Sequence, residues 1–264
     1  MEIAQLVDKA IHSAVLAGKK IMEVYASVDF GVVIKEDQTP VTIADHRAHD
    51  EILKNLESTG LPVLSEEGIH LSYSERKNWD LFWLIDPLDG TKEFIKRNDE
   101  FTVNIALIQK GRPIAGVIYA PVTGQIYVGI PETGAYKLVN PDEHCTFHSM
   151  QLSGIKLPEK INQPEFVVAI SRSHMNQKTK EYIENIREEH ESFRMINMGS
   201  SMKMCMVAEG TASVYPKLGT TMEWDTAAGH AILKASGKNI FLTDLKTEIR
   251  YNKENLQNPH FIAL

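Results

Sequence analysis

Ile3, Leu6, Val7, Ala10, Ile11, Ala14 and Val15 recur at helical spacing with polar residues between them, which predicts one long amphipathic helix packed on the body by its apolar stripe. After a polar stretch, Thr42 is placed to cap a second helix whose apolar side holds Ala44, Ala48, Ile52, Leu53 and Leu56, with Gly60 at its end. Two helices are thus expected before the first strand. Segment 61–68 (LPVLSEEG) then reads as a short strand with two carboxylates at its exit, and 79–90 (WDLFWLIDPLDG) as another with two aspartates at its exit. Four further β-branched runs lie between residues 101 and 139, separated by Gly or Pro turns, as in an antiparallel meander. From about 140 to about 165 the chain is polar and weakly periodic, which predicts a connection between lobes. Beyond it strand and helix signals alternate: 165–171, a helix from Asn176 to Glu189, 193–197, a helix from Ser200 to Glu209 closed by Gly210, 211–216, and a helix from about Asp225 to Ser236 closed by Gly237. The pattern predicts an N-terminal α+β lobe (1–140) and a C-terminal α/β lobe (141–264).

The most informative segment is Asp86-Pro87-Leu88-Asp89-Gly90-Thr91, where an apolar strand delivers two aspartates into a Pro- and Gly-containing turn. Such dipeptides serve most often as ordinary β-turns. Glu66 and Glu67 stand at another strand exit, however, Asp225 at a helix start, and Asp45 at the approach to a helix. Carboxylates brought close together raise one another's pKa unless a cation compensates them. Hard oxygen ligands with an exposed peptide carbonyl suit magnesium, which shares its remaining positions with water and substrate phosphate.

Composition narrows the class. With 264 residues, 43% hydrophobic and 24% charged, the chain can bury one large core or two coupled lobes. A net charge of −7 disfavours nucleic acid or an anionic membrane as partner, so a bound phosphate must be met locally by metal, backbone amides or a few lysines. Two distant cysteines, Cys145 and Cys205, give neither a disulfide framework nor a zinc spacing, which fits a reducing cytoplasm. The N-terminus lacks signal-peptide features, and no apolar run would span a bilayer.

Five segments in order, PVTIAD (40–45), LSEEG (64–68), DPLDGTKEFI (86–95), GSSMKMC (199–205) and WDTAAGHAI (224–232), make the chain resemble the lithium-sensitive phosphatase superfamily of inositol monophosphatase, fructose-1,6-bisphosphatase and the 3′(2′),5′-bisphosphate nucleotidases. The KEFI segment is similar to the CysQ-type branch. The resemblance implies a layered α-β-α-β-α sandwich and two or three Mg²⁺ ions. It assigns Glu66, Asp86 and the Leu88 carbonyl to one ion and Asp86, Asp89 and Asp225 to a second; Glu67 is expected to support these ligands rather than bind, since an adjacent side chain generally points elsewhere. It further implies that Thr91, held by Asp45, orients an attacking water, and that lithium inhibits. The alternative for Thr91 is a helix N-cap, and the two roles can coexist, because the Gly90 and Thr91 amides would lie at a helix start that favours phosphate.

Substrate contacts rest on weaker signals. By the resemblance, His174 would touch a nucleotide, and Ser200, Lys203 and Lys217 would surround its sugar and second phosphate. Taken alone, such a histidine is more often a surface or satisfied residue, and Ser200 a helix cap. The segment Gly219 to Glu223, before Trp224, departs from the pattern of relatives and puts the rim contacts in question rather than Asp225. The expected activity is a magnesium-dependent 3′(2′),5′-bisphosphate nucleotidase acting on a small phosphorylated nucleotide, 3′-phosphoadenosine 5′-phosphate, in sulfate assimilation, with the chain a monomer or homodimer. An inositol or sugar phosphatase is the closest rival, and a non-catalytic metabolite-binding protein a third reading. The Lys203/Lys217 pair favours the nucleotidase, since a second phosphate needs cationic partners.

Overall fold

A computed structural model describes residues 2–35, 39–69, 71–159, 165–172 and 175–264. Helices α1 (Ile3–Tyr25) and α2 (Ile43–Leu56) flank a short hairpin of β1 (Val33–Ile34) and β2 (Pro40–Val41), so strand pairing begins earlier than the sequence suggests; two-residue strands leave no readable alternation. Thr42 caps α2 through Ala44 N–H, and after a 3₁₀ turn (Glu57–Thr59) Gly60 closes the element in the left-handed region.

The strands β3 (Val63–Ser65), β4 (Leu81–Asp89), β5 (Thr102–Gln109), β6 (Arg112–Ala120), β7 (Gln125–Ile130), β8 (Gly134–Val139) and β9 (Ile155–Leu157) form one sheet in that order, antiparallel except for β3 beside β4. Short helices α3 (Tyr73–Arg76), α4 (Thr91–Ile95) and α5 (Phe147–Ser153) lie in the connections. The expected connection at 140–165 therefore contains α5 and the edge strand β9. Their brevity, and the polar residues on exposed positions of α5, hide both elements from a periodicity argument.

Alternate side chains of the sheet enter two cores. Trp83, Ile85, Ile105, Leu107 and Val117 pack towards α1 and α2, while Phe82, Leu84, Ala106, Ile108 and Ile118 pack on the other side. On that second side lie α7 (Met202–Glu209) and α8 (Glu223–Ala235). Gly116 and Gly129, directly paired across β6 and β7, let the backbone of α8 settle on the sheet. A Cβ at Gly116 would stand 2.3 Å from the Ala228 carbonyl oxygen, and one at Gly129 2.6 Å from Ile232 Cα.

Beyond these helices are β10 (Phe166–Ser171) paired in parallel with β11 (Phe193–Met198), and an antiparallel trio β12 (Tyr215–Lys217), β14 (Phe261–Ala263) and β13 (Ile240–Leu242). A Val168–Val214 bridge joins the two groups. Helix α6 (Gln177–Glu189) covers their outer face through Ile183 against Val168, Ile170 and Ile262. The layers thus run α-β-α-β-α. β13 and β14 carry no pattern of their own, being three residues each.

Candidate active site

The Asp86–Asp89 segment is a β-bulge inside β4 rather than a turn beyond it. Asp86 faces Asn104 and Asp89 faces Thr102 on β5, so three steps along β4 match two along β5. In a regular strand residues three apart point to opposite faces; the extra residue returns Asp89 to the face of Asp86. Pro87, which has no N–H for the ladder, sits within the bulge. The Leu88 amide turns back to Asp86 Oδ1 at 3.1 Å. Gly90, with φ +96°, then starts α4 where a Cβ would meet the Glu100 carbonyl at 3.0 Å.

Three carboxylates converge: Glu66, one residue past β3, Asp86 in β4 and Asp225 in the first turn of α8 each place an oxygen within 4.8 Å of the others. Asp225 is held by the Met222 amide at 2.8 Å. Asp89 lies outside this trio and lines an adjoining cavity of ≈180 Å³ with Asp225, Ser200, Lys203, Lys217 and Tyr215. Burial raises the pKa of Asp86, Asp225 and Asp89, and the charges of neighbouring carboxylates add to the effect at Asp86 and Asp225. Glu66 is pushed up to about 7, first by burial, against the opposing charge of Lys35. Glu66, Asp89 and Asp225 around a buried Asp86 make four neighbouring carboxylates, a donor set that fits a hard divalent cation such as magnesium.

Thr91 donates its hydroxyl to Asp45 Oδ1 at 3.1 Å or to the Leu88 carbonyl at 3.3 Å. Asp45, buried at the start of α2, is fixed on its other oxygen by the Thr42 amide at 2.7 Å and hydroxyl at 2.6 Å. Its pKa is raised, chiefly by burial. Gly90 is the N-cap of α4 and Thr91 its first residue.

In the cavity wall Ser200 has φ +47° and precedes α7, whose N-cap is Ser201. Lys203 donates to the carbonyls of Met198 (3.1 Å) and Ser200 (2.5 Å), and burial brings its pKa down to about 8. Burial lowers Lys217 as well, while Asp225 and Asp89 draw it back up. His174 lies outside the described residues.

Several neighbours escaped sequence reasoning. Lys35 pairs with Glu67 and reaches Glu66 at 3.4 Å. Thr102 and Asn104 are buried beside the carboxylates. The latter had a readable signal: two polar residues at alternate positions of an otherwise apolar strand, on one face.

A model of the inositol monophosphatase family matches residues 3–259. The chain belongs to the inositol monophosphatase family. The 3′(2′),5′-bisphosphate nucleotidase CysQ of Escherichia coli is 42% identical over 260 residues, 97% of this chain and 98% of the relative. The crystal structure of CysQ from Bacteroides thetaiotaomicron, at 45% identity, superposes with a TM-score of 0.92 over 99% of this chain and 97% of its own. An IMPase structure from Thermotoga maritima, 22% identical, shares the fold at a TM-score of 0.75 over 96% of this chain and 89% of its own. Members of the inositol monophosphatase family are metal-dependent phosphatases, in keeping with the acidic cluster. Among the described residues no helix is long and apolar enough to cross a membrane.

Proposed function

We propose that this chain is a magnesium-dependent 3′(2′),5′-bisphosphate nucleotidase that converts 3′-phosphoadenosine 5′-phosphate and water to AMP and phosphate. The observation that carries the reading is the juxtaposition of the Glu66–Asp86–Asp225 cluster with a cavity lined by two buried lysines, Lys203 and Lys217. An enzyme for a singly phosphorylated substrate needs the first feature; a substrate with a second phosphate gives the lysines a use. Near-complete coverage of relatives named 3′(2′),5′-bisphosphate nucleotidase supports a substrate of that class.

In this reading Glu66, Asp86 and the Leu88 carbonyl would hold one ion, and Asp86, Asp89 and Asp225 would hold a second. Magnesium, when bound, lowers the pKa of a water and offsets charge on the phosphate and departing oxygens. Thr91 donates its hydroxyl hydrogen bond to Asp45 and keeps an oxygen lone pair to accept a hydrogen bond from the attacking water; as the water attacks, its proton passes to Thr91 while the Thr91 proton passes to Asp45, which then returns it to solvent. The water oxygen forms its bond to phosphorus as the ester P–O bond breaks, and the alcohol leaves with a proton from solvent. The Gly90 and Thr91 amides at the start of α4, and Ser200 in the cavity lining, would serve the phosphate; the role of His174 as a nucleotide contact rests on the family resemblance alone. Lithium sensitivity, a place in sulfate assimilation and a cytoplasmic location, consistent with two buried free thiols, belong to the same proposal.

Phosphate release from 3′-phosphoadenosine 5′-phosphate, inositol 1-phosphate and fructose 1,6-bisphosphate, each with and without magnesium, tests it. The bisphosphate nucleotide is expected to be the best substrate, and exhaustive chelation to remove activity. A preference for inositol 1-phosphate would assign the chain to the monophosphatases, and full turnover after chelation would end the mechanism. Thr91→Ala is expected to lower kcat by about a hundredfold or more, with Thr91→Ser recovering most of it. Equal loss in both variants would deny the hydroxyl its part.

A further inference from the structure

The metal-side carboxylates differ in how they are held. Asp86 is fixed within its own bulge and Asp225 by the helix start it caps, both through main-chain amides. Asp89 shares the cavity lining with Lys203, whose charge attracts its carboxylate. What restrains it comes from β5 and from the start of α7. Asn104 Nδ2 reaches Asp89 Oδ2 at 3.4 Å, and the Ser201 main-chain amide also serves this carboxylate.

Asn104 is itself locked. Its Oδ1 accepts from Thr102 Oγ1 at 3.1 Å and from Ser201 Oγ at 2.8 Å, and the two hydroxyl oxygens lie 2.7 Å apart. All three side chains are buried, at 0%, 1% and 2% exposure for Thr102, Asn104 and Ser201. The amide orientation follows from chemistry: the reverse flip would set Oδ1 against the Asp89 carboxylate. The triangle has three edges and only two hydroxyl protons, so both protons are committed within it and the Asn104 –NH₂ is left to face the acid. The bulge makes this possible, since it sets Asp89 opposite Thr102 and Asp86 opposite Asn104 on one face.

We propose that Asn104 is a positioning residue which, clamped by Thr102 and Ser201, aims Asp89 at the metal cluster and ties that aim to the α7 wall of the substrate cavity. Ser201 is the N-cap of α7 and follows Ser200 in the cavity lining, so the wall and the ligand share one hydrogen-bond network. This rests on the reading of Asp89 as a ligand of the second ion. Orienting partners of metal ligands typically carry a tenfold to hundredfold share of affinity.

The test is manganese binding followed by electron paramagnetic resonance of the free ion, on the full chain without substrate, for the parent protein and Asp89→Asn, Asn104→Leu, Ser201→Ala and the double variant. The parent is expected to bind two ions, and Asp89→Asn to lose the weaker. Asn104→Leu should weaken that ion by about tenfold and leave the tighter one unchanged. Ser201→Ala should weaken it by less, and the double variant no more than Asn104→Leu alone, because the hydroxyl acts through the amide. If Asn104→Leu does not fold, Ser201→Ala alone decides: an unchanged weaker constant overturns the proposal. So does an Asn104→Leu protein with both constants unchanged, or with both reduced equally. If Asp89→Asn keeps both constants, the ligand reading fails and this inference with it; if Asp89→Asn loses one ion while Asn104→Leu loses none, only this inference fails.

Discussion

Asp225→Asn is expected to lower kcat/KM by at least about a thousandfold, some 4 kcal/mol of transition-state stabilisation, while raising the melting temperature of the metal-free protein. The two effects share a cause. Asp225 is pressed by burial and by the charges of Asp89 and Glu66, and its pKa stands well above the ordinary carboxylate value. Asparagine is isosteric and its Oδ1 can keep the Met222 amide, so the start of α8 survives. A repelling charge is removed from the metal-free fold, and a ligand is removed from the loaded one. The pH dependence has a definite sign. Groups whose folded pKa is raised stabilise the fold below their unfolded values and lose that contribution as pH rises through the folded ones, here up to about 7 for Glu66. Metal-free protein should therefore melt lower at pH 8 than at pH 5. Both magnesium and Asp225→Asn should flatten that slope. Melting curves at several pH values measure it, and a metal-free Asp225→Asn protein that melts below its parent would make Asp225 a structural support.

The layered fold was legible where elements are long. The apolar stripe of α1, the Thr42 cap of α2 and the β-branched meander each carry a period that survives in the structure. Strands of two or three residues, β1, β2, β9, β13 and β14, are fixed by their neighbours and leave no period to read. Glu66, Asp86 and Asp225, read in the sequence as acidic residues at element ends, do converge, although Asp86 lies inside β4 rather than at its end. The bulge was not foreshadowed. Asp-Pro-Leu-Asp-Gly looks like a turn because Pro and Gly are turn formers, whereas pairing with β5 carries the strand through to Asp89. The Thr102–Asn104–Ser201 triangle joins Ser201 to residues about a hundred positions away, a relation visible only once the N-cap of α7 lies beside β5.

Lys217→Met is expected to separate substrates more sharply than Lys203→Met, because the two ammonium groups are committed differently. Lys203 gives two of its three protons to the Met198 and Ser200 carbonyls, and so braces the left-handed turn at Ser200 as well as facing the cavity. The opposite charges that bear on Lys217 are the Asp225 and Asp89 carboxylates, which magnesium would neutralise, leaving this buried cation, beside that of Lys203, to meet an anion from the substrate. A charge-assisted contact to a second phosphate contributes about 1.5–3 kcal/mol, roughly tenfold to a hundredfold. Lys217→Met should therefore lower kcat/KM by that factor for 3′-phosphoadenosine 5′-phosphate and leave the slow hydrolysis of inositol 1-phosphate nearly unchanged. Lys203→Met should weaken turnover of both, through the loop it braces, with an added loss on the bisphosphate from its remaining proton. Steady-state rates on the two substrates measure each ratio. If Lys217→Met lowers both rates in proportion, Lys217 serves the metal carboxylates rather than a second phosphate, and the charge argument for a bisphosphate substrate loses its main support.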